Sequence, residues 1–170
     1  MNPNIKSLTD KDIKKIFNNK IKVLLYSQLH NYKNIDELMK PFDKVIILYV
    51  FRINPENGGL QGHWIALKKE KKKITFFDSF ASIPDATIIK LPKDIKHKFK
   101  EDYNQLSKLL YNSKYDLAYN SKTLQDNKSN LCGYYCVGYL CSDLSVDDFS
   151  NLFTNDKKSN DALIYKLVKI

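Results

Sequence analysis

Seven consecutive apolar residues, Val45-Ile46-Ile47-Leu48-Tyr49-Val50-Phe51, constrain this chain more than any other stretch. A strand with one wet face alternates apolar and polar side chains, whereas an uninterrupted β-branched and aromatic run has both faces buried. Such a strand needs partners along its edges and packed layers above and below it. A plain helical bundle or a one-layer sheet is thereby excluded. The run is also far short of the ~20 apolar residues that span a bilayer, so no membrane association is expected. With 170 residues, 43% of them hydrophobic, the chain is long enough for one domain with a real core, and a single domain over 1–170 is the expectation.

The other segments supply the layers. In "SLTDKDIKKIFNN", Ser7 or Thr9 stands ahead of Ile13, Ile16 and Phe17 at helical spacing, which predicts a short helix. "PENGGLQG" reads as a turn-rich loop. Two strands, "HWIAL" and "ITFFDSF", follow, separated by "KKEKKK", which reads as a solvated hairpin tip. Ile95, Phe99, Tyr103, Leu106 and Leu110 recur at three- and four-residue steps and predict one amphipathic helix. "YDLAYNSKT" reads as a further strand, and "CGYYCVGYLCSDL" as a helix despite its two glycines. "SVDDFSNLF" and "NDALIYKLVKI" are expected to close the chain as helices capped by Ser145 and Asn160. The sum is an α+β domain, a central mixed or antiparallel β-sheet with flanking helices.

Charge and cysteine usage bound the setting. The net charge of +9 rests on lysine, since Arg52 is the one arginine. That excess favours acidic partners such as nucleic acid, but a soluble surface encoded by an AT-rich genome is the preferred reading. The opening "MNPNIKSLTDKD" lacks the apolar segment of a secretory signal. Three cysteines, at 132, 136 and 141, do not form an even disulfide framework. Their spacing is not that of a zinc site, and neither His30 nor His97 completes one, so no metal is expected. A reducing, intracellular location follows rather than secretion.

Chemistry concentrates in four positions. If "HWIALKK" and "KKITFFD" pair antiparallel around Glu70-Lys71, Leu67 opposes Ile74, Ile65 opposes Phe76, Trp64 opposes Phe77, and His63 opposes Asp78. Opposed residues project from one face with Cβ atoms ~4.5–5.5 Å apart. A carboxylate there would accept from one ring nitrogen of the histidine, fixing its tautomer and freeing the other for proton transfer. Cys132 opens a helix, where the positive end of the macrodipole and free backbone amides favour a thiolate. Gly133 allows close approach of a backbone or substrate. Gln125, in the preceding loop, offers a neutral amide donor suited to holding an oxyanion together with a backbone N–H. Cys136 and Cys141 sit inside the apolar run and read as packing.

The order His63, Asp78, Gln125, Cys132 resembles the adenovirus-type (adenain-like) maturation cysteine proteases, relatives of the SUMO-deconjugating cysteine proteases. The pieces that carry the resemblance are Gly58-Gly59, "GHW" (Gly62 to Trp64), "FFDSFA" (Phe76 to Ala81), and Gln125 seven residues before Cys132-Gly133, together spanning about residues 44 to 142. The resemblance implies a papain-like/adenain-like fold with the catalytic Cys132 at a helix N-terminus. It implies His63 as general base and then acid, Asp78 as its orienting group, and Gln125 with the Cys132 N–H as the oxyanion hole. Trp64 and Gly133 are assigned to substrate binding. It further implies cleavage after glycine in extended peptides, with viral members processing capsid and core precursors; the AT-rich composition fits a large-DNA-virus or virophage source.

The family's activating disulfide has no counterpart, because "YNSKYDLAYNSKTL" holds no cysteine. DNA enters as an activator that the lysine excess permits, and no other cofactor is expected. The expected partners are precursor polypeptides with glycine-containing sites. The protein is read as a monomer in the host cytoplasm or virus factory, packaged in the virion in one version of this reading. Two alternatives stand beside it: a deconjugase of ubiquitin-like modifiers, and a basic nucleic-acid-binding module without enzymatic activity.

Overall fold

The computed structural model describes residues 5–99 and 104–168. The chain runs α1 (Asp10–Ile16), β1 (Lys22–Leu25), a 3-10 helix (Tyr26–Asn31), α2 (Ile35–Met39), β2 (Lys44–Ile53), β3 (Leu60–Glu70) and β4 (Lys73–Phe77). It continues with α3 (Ala86–Ile89), α4 (Lys93–Phe99), α5 (Gln105–Tyr111), β5 (Asp116–Tyr119), α6 (Cys132–Cys141), α7 (Val146–Asn151) and α8 (Lys157–Leu167). The five strands form one mixed sheet in sequence order, β1 parallel to β2, β3 antiparallel to both neighbours, and β4 parallel to β5.

The apolar run is β2, paired on both edges and buried from Val45 to Val50. Its alternate side chains enter two separate cores, as strand geometry requires. Ile46, Leu48 and Val50 join Trp64, Ala66, Phe77 and the helix α6 in one. Val45, Ile47 and Tyr49 join Ile65, Leu67, Phe76, Met39 and Leu106 in the other. α6 is buried over most of its length because one side lies on the sheet and α7 and α8 cover the rest. That burial fixes its first turn at one end of the sheet.

Several sequence expectations change in detail. Thr9, not Ser7, caps α1, and it does so through a reciprocal pair with Asp12. The amphipathic stretch after Pro92 is two helices, α4 and α5: Asn104 has non-helical ψ (59°) and interrupts it. Of that expected helix, Tyr103 lies outside the described residues, while Leu106 and Leu110 are buried. Asp156 caps α8 in place of Asn160, which is buried inside that helix and bonded to Leu124 and Thr154. β1, α2 and α3, each five residues or fewer, were not expected; elements so short show little periodicity.

The hairpin of β3 and β4 differs by two residues from the expected register. It turns at Lys71-Lys72, Lys71 adopting a left-handed φ of 53°, and pairs Ala66 with Phe77 and Leu67 with Phe76. His63 therefore lies beyond the β4 pairing, and Asp78 follows the last residue of that strand. A two-residue shift preserves which face each side chain occupies, whereas a shift of one would invert it. At the tip, Lys68 departs from the solvated reading. It faces α6, is buried, and brings its Nζ to the Ser142 carbonyl and Glu70, its alkyl stem lying within the fold.

Candidate active site

The site forms where β2 and β3 run past the end of β4. Tyr49 pairs with His63 and Val50 with Gly62, after which Phe51 is an extra residue before Arg52 pairs with Gln61. This bulge demands glycine opposite it, since a Cβ on Gly62 would lie 1.7 Å from the Tyr49 carbonyl oxygen. Bulges bend a strand locally and re-aim the side chains beside them. Here the neighbour is His63, whose ring lies 6.4 Å from Phe51 and 5.2 Å from Phe80.

Asp78 reaches His63 although the two are not paired in the ladder. His63 Nε2 lies 2.8 Å from Asp78 Oδ1, which also accepts the Phe80 N–H at 2.8 Å. The backbone of Asp78 is clamped by one side-chain amide: Asn120 Oδ1 accepts its N–H at 3.0 Å, and Asn120 Nδ2 donates to its carbonyl at 2.6 Å. Asn120 immediately follows β5, so its side chain continues the pairing of β4 where the strands' own backbone ladder stops. Sequence reasoning missed this residue. An asparagine just past a strand carries no local signal of a contact 42 positions away.

Cys132 lies beside this imidazole, close enough for each group to shift the other's pKa, so thiol, imidazole and carboxylate stand together. Cys132 starts α6, whose N-cap Leu131 supplies no side-chain hydrogen bond. The first amides of that helix are left to polarise what stands before them. Burial favours the neutral form of both partners, but their contact outweighs it. Hydrogen bonds to Asp78 and Cys132, with the charges on both, push His63 up to about 10. The His63 bond and charge, with the backbone at Trp64 and Gly133, bring the Cys132 thiol below its ordinary value. The two shifts run in the directions that favour a thiolate beside an imidazolium. His63, Asp78 and Gln125 are all at most 4% exposed and Cys132 is 8% exposed, so the whole set is buried.

Gln125 sits in the loop between β5 and α6. Its Oε1 accepts from Ser79 Oγ at 2.7 Å and its Nε2 donates to the Ser129 carbonyl at 2.9 Å. The loop is pinned from beneath, because Asn160 Nδ2 and Tyr135 Oη both donate to the Leu124 carbonyl, and Tyr135 also bonds Asp161. Trp64 and Gly133 meet each other: a Cβ at Gly133 would lie 3.1 Å from Trp64 Cδ1 and 3.2 Å from Leu8 Cβ. The Trp64 indole N–H donates to the Leu8 carbonyl. One wall of the site is thus the segment leading into α1. All three cysteines are free. Among the described residues, no group of three His, Cys, Asp or Glu side chains has the placement to hold a metal, and no helix is long and apolar enough to cross a membrane.

Comparison with known proteins gives the lineage. The chain is 30% identical over 134 residues to the uncharacterized protein V9 of the Sputnik virophage, covering 77% of this chain and 73% of that protein. It belongs to the V9 family. No family model matches the chain. Among solved structures it is similar to an ASFV protease, with 15% identity and a TM-score of 0.49 over 96% of this chain and 68% of that one. It is also similar to the SUMO protease Ulp1, with 15% identity and a TM-score of 0.43 over 98% and 77%. ChlaDub1 from Chlamydia trachomatis aligns with 13% identity and a TM-score of 0.39 over 81% and 65%. The V9 relative is a virophage protein, a source that the sequence reading named.

Proposed function

We propose that this protein is a cysteine endopeptidase that cleaves after glycine in viral structural precursors, with Cys132, His63 and Asp78 as its triad. The observation that carries the reading is an imidazole held at 2.8 Å by a buried carboxylate, with a helix-tip thiol beside it that is shifted down while the imidazole is shifted up. An inert core cysteine has no such partner.

In this mechanism Cys132 Sγ attacks the substrate carbonyl carbon. The S–C bond forms as the C=O π pair moves onto oxygen, where the Cys132 N–H and Gln125 Nε2–H hold it. His63 gives its proton to the departing amine as the C–N bond breaks. Water, deprotonated by His63, then hydrolyses the thioester and releases the carboxylate and the thiolate. Asp78 keeps the imidazole oriented throughout and stabilises its charged form. Trp64 and Gly133, packed against each other next to His63 and Cys132 in the chain, are read as bordering the path of an extended substrate. Glycine at the cleaved position suits a site this enclosed, because it lacks a side chain. The virophage source of the V9 relative supports a viral substrate.

The test is incubation of the purified protein with capsid precursors from the same virus, with Gly-containing peptides and with ubiquitin-like fusions, with Cys132→Ala as control. Cleavage after glycine in the precursors, lost in the control, is the expected outcome. Cleavage of the modifier fusions alone would make the protein a deconjugase. Absence of any cleavage, with Cys132 no more reactive than Cys141, would end the protease reading.

A further inference from the structure

We infer that Ser79 is a positioning residue that, opposite the Ser129 carbonyl, holds the Gln125 amide with its second N–H toward the reacting carbonyl. The inference rests on the cysteine-protease reading and adds to it a residue outside the triad and the oxyanion donors.

The argument turns on an amide's two ends. The Gln125 side chain has a carbonyl that only accepts and an NH2 that only donates. Buried as it is, whichever end is misplaced leaves an unsatisfied polar group. On one side stands the Ser129 carbonyl, 2.9 Å away, which accepts and cannot donate, so Nε2 must face it. Oε1 then faces Ser79 Oγ at 2.7 Å, and the hydroxyl must donate. That leaves the second Nε2–H without a protein acceptor among the described residues, the donor that an oxyanion would require. Ser79 itself is fully buried. Its carbonyl accepts the Leu124 N–H at 2.8 Å and the Gln125 N–H at 3.3 Å, so the same residue holds the main chain and the side chain of Gln125.

The position of Ser79 in the chain extends its role. It follows Asp78, whose backbone Asn120 clamps on both sides. The dipeptide Asp78-Ser79 therefore sets two separate parts of the reaction, the proton relay through His63 and the charge-stabilising amide of Gln125. A carboxylate and a hydroxyl on neighbouring residues, each spent on a different group of the site, bring the two parts into register with one turn of backbone.

Two reactions of Cys132 separate this role from mere support. Alkylation by iodoacetamide displaces iodide and forms no oxyanion, whereas peptide cleavage does. Ser79→Ala is expected to lower kcat on a glycine-site peptide about tenfold to hundredfold, less than the ~10²–10³ for deleting an oxyanion donor outright. KM and the alkylation rate of Cys132 stay near wild type. In a Gln125→Ala background, Ser79→Ala should cost nothing further, since the group it positions is gone. Wild-type kcat in Ser79→Ala, multiplied losses in the double variant, or alkylation falling in step with kcat would each overturn the inference. Ser79→Cys, nearly isosteric but a weak donor, should fall between the two and serves if the alanine variant does not fold. If no peptide is cleaved even by wild type, the protease reading fails on its own. The clamp is then read by NMR, where unchanged Gln125 side-chain amide resonances in Ser79→Ala would refute it.

Discussion

Two thiols one turn apart on α6 have the same surroundings in most respects and opposite chemistry. Cys132 and Cys136 are both buried, and burial by itself favours the neutral thiol in each. Cys136 Sγ meets the Trp64 carbonyl oxygen at 3.3 Å, an acceptor that a thiolate would repel, and burial holds this thiol well above its ordinary value. Cys132 meets an imidazole and lies at the helix tip, and its thiol is brought below that value. Depth does not separate them. A donor against an acceptor as the nearest polar group does.

The largest expected effect breaks the comparison outright. Cys132→Ala should remove peptide cleavage by a factor on the order of 10⁴ or more, whereas Cys136→Ala should keep it within about tenfold and cost roughly 1–2 kcal/mol of stability for the lost packing. Steady-state cleavage and chemical denaturation of the two variants read both halves. Next in size, His63→Ala takes the donor from Cys132. Its alkylation at pH 7 should slow about tenfold or more as the thiol returns toward or above its ordinary range; an unchanged rate would show that the helix tip alone ionises it.

The pH profile sharpens the same contrast. Cleavage should fall on the acid side as the Cys132 thiolate takes up a proton, at a pH below the ordinary thiol value of 9.0 because its folded value is lowered. It should fall again near pH 10, where His63 gives up the proton the leaving amine needs. Asp78→Asn, which removes one charge raising His63, should move that alkaline limb to lower pH. A profile rising through pH 9 with no alkaline limb would contradict the ion pair. The smallest effect concerns the third thiol. Cys141 is exposed, but its value is raised by the burial it does have, so a small alkylating agent at neutral pH should modify Cys132 several-fold sooner despite its cover. Mass spectrometry of the partly labelled protein orders the three.

Much of this arrangement was legible in the chain. The apolar run of β2 announced a strand with a layer on each face, and two cores are present. The β3 and β4 segments, the helix beginning at Cys132 and the cap at Ser145 followed from local pattern, because periodicity and capping are properties of a few adjacent residues. That His63 and Asp78 lie near one another was also readable, but for a reason only partly right. The hydrophobic alternation determines parity, that is, which face each side chain takes. It cannot separate two registers that differ by two residues. The left-handed Lys71 and the turn at Lys71-Lys72 made that choice, and Asp78 meets His63 from just beyond the strand.

What tertiary structure alone decided is the set of contacts that hold the candidate site still. Asn120 on the Asp78 backbone, Ser79 on the Gln125 amide, and Asn160 beneath the loop at Leu124 join residues 42, 46 and 36 positions apart. Asn160 even carried the wrong local meaning, reading as a cap while serving as a buried tie. The sequence by itself determined the kinds of element, the faces they bury and the order of the reactive groups, since these follow from nearest neighbours along the chain. Which partners hold the Gln125 amide, and which thiol is shifted down rather than up, depends on groups brought together by folding, and a buried polar group takes its properties from those partners rather than from its neighbours in sequence.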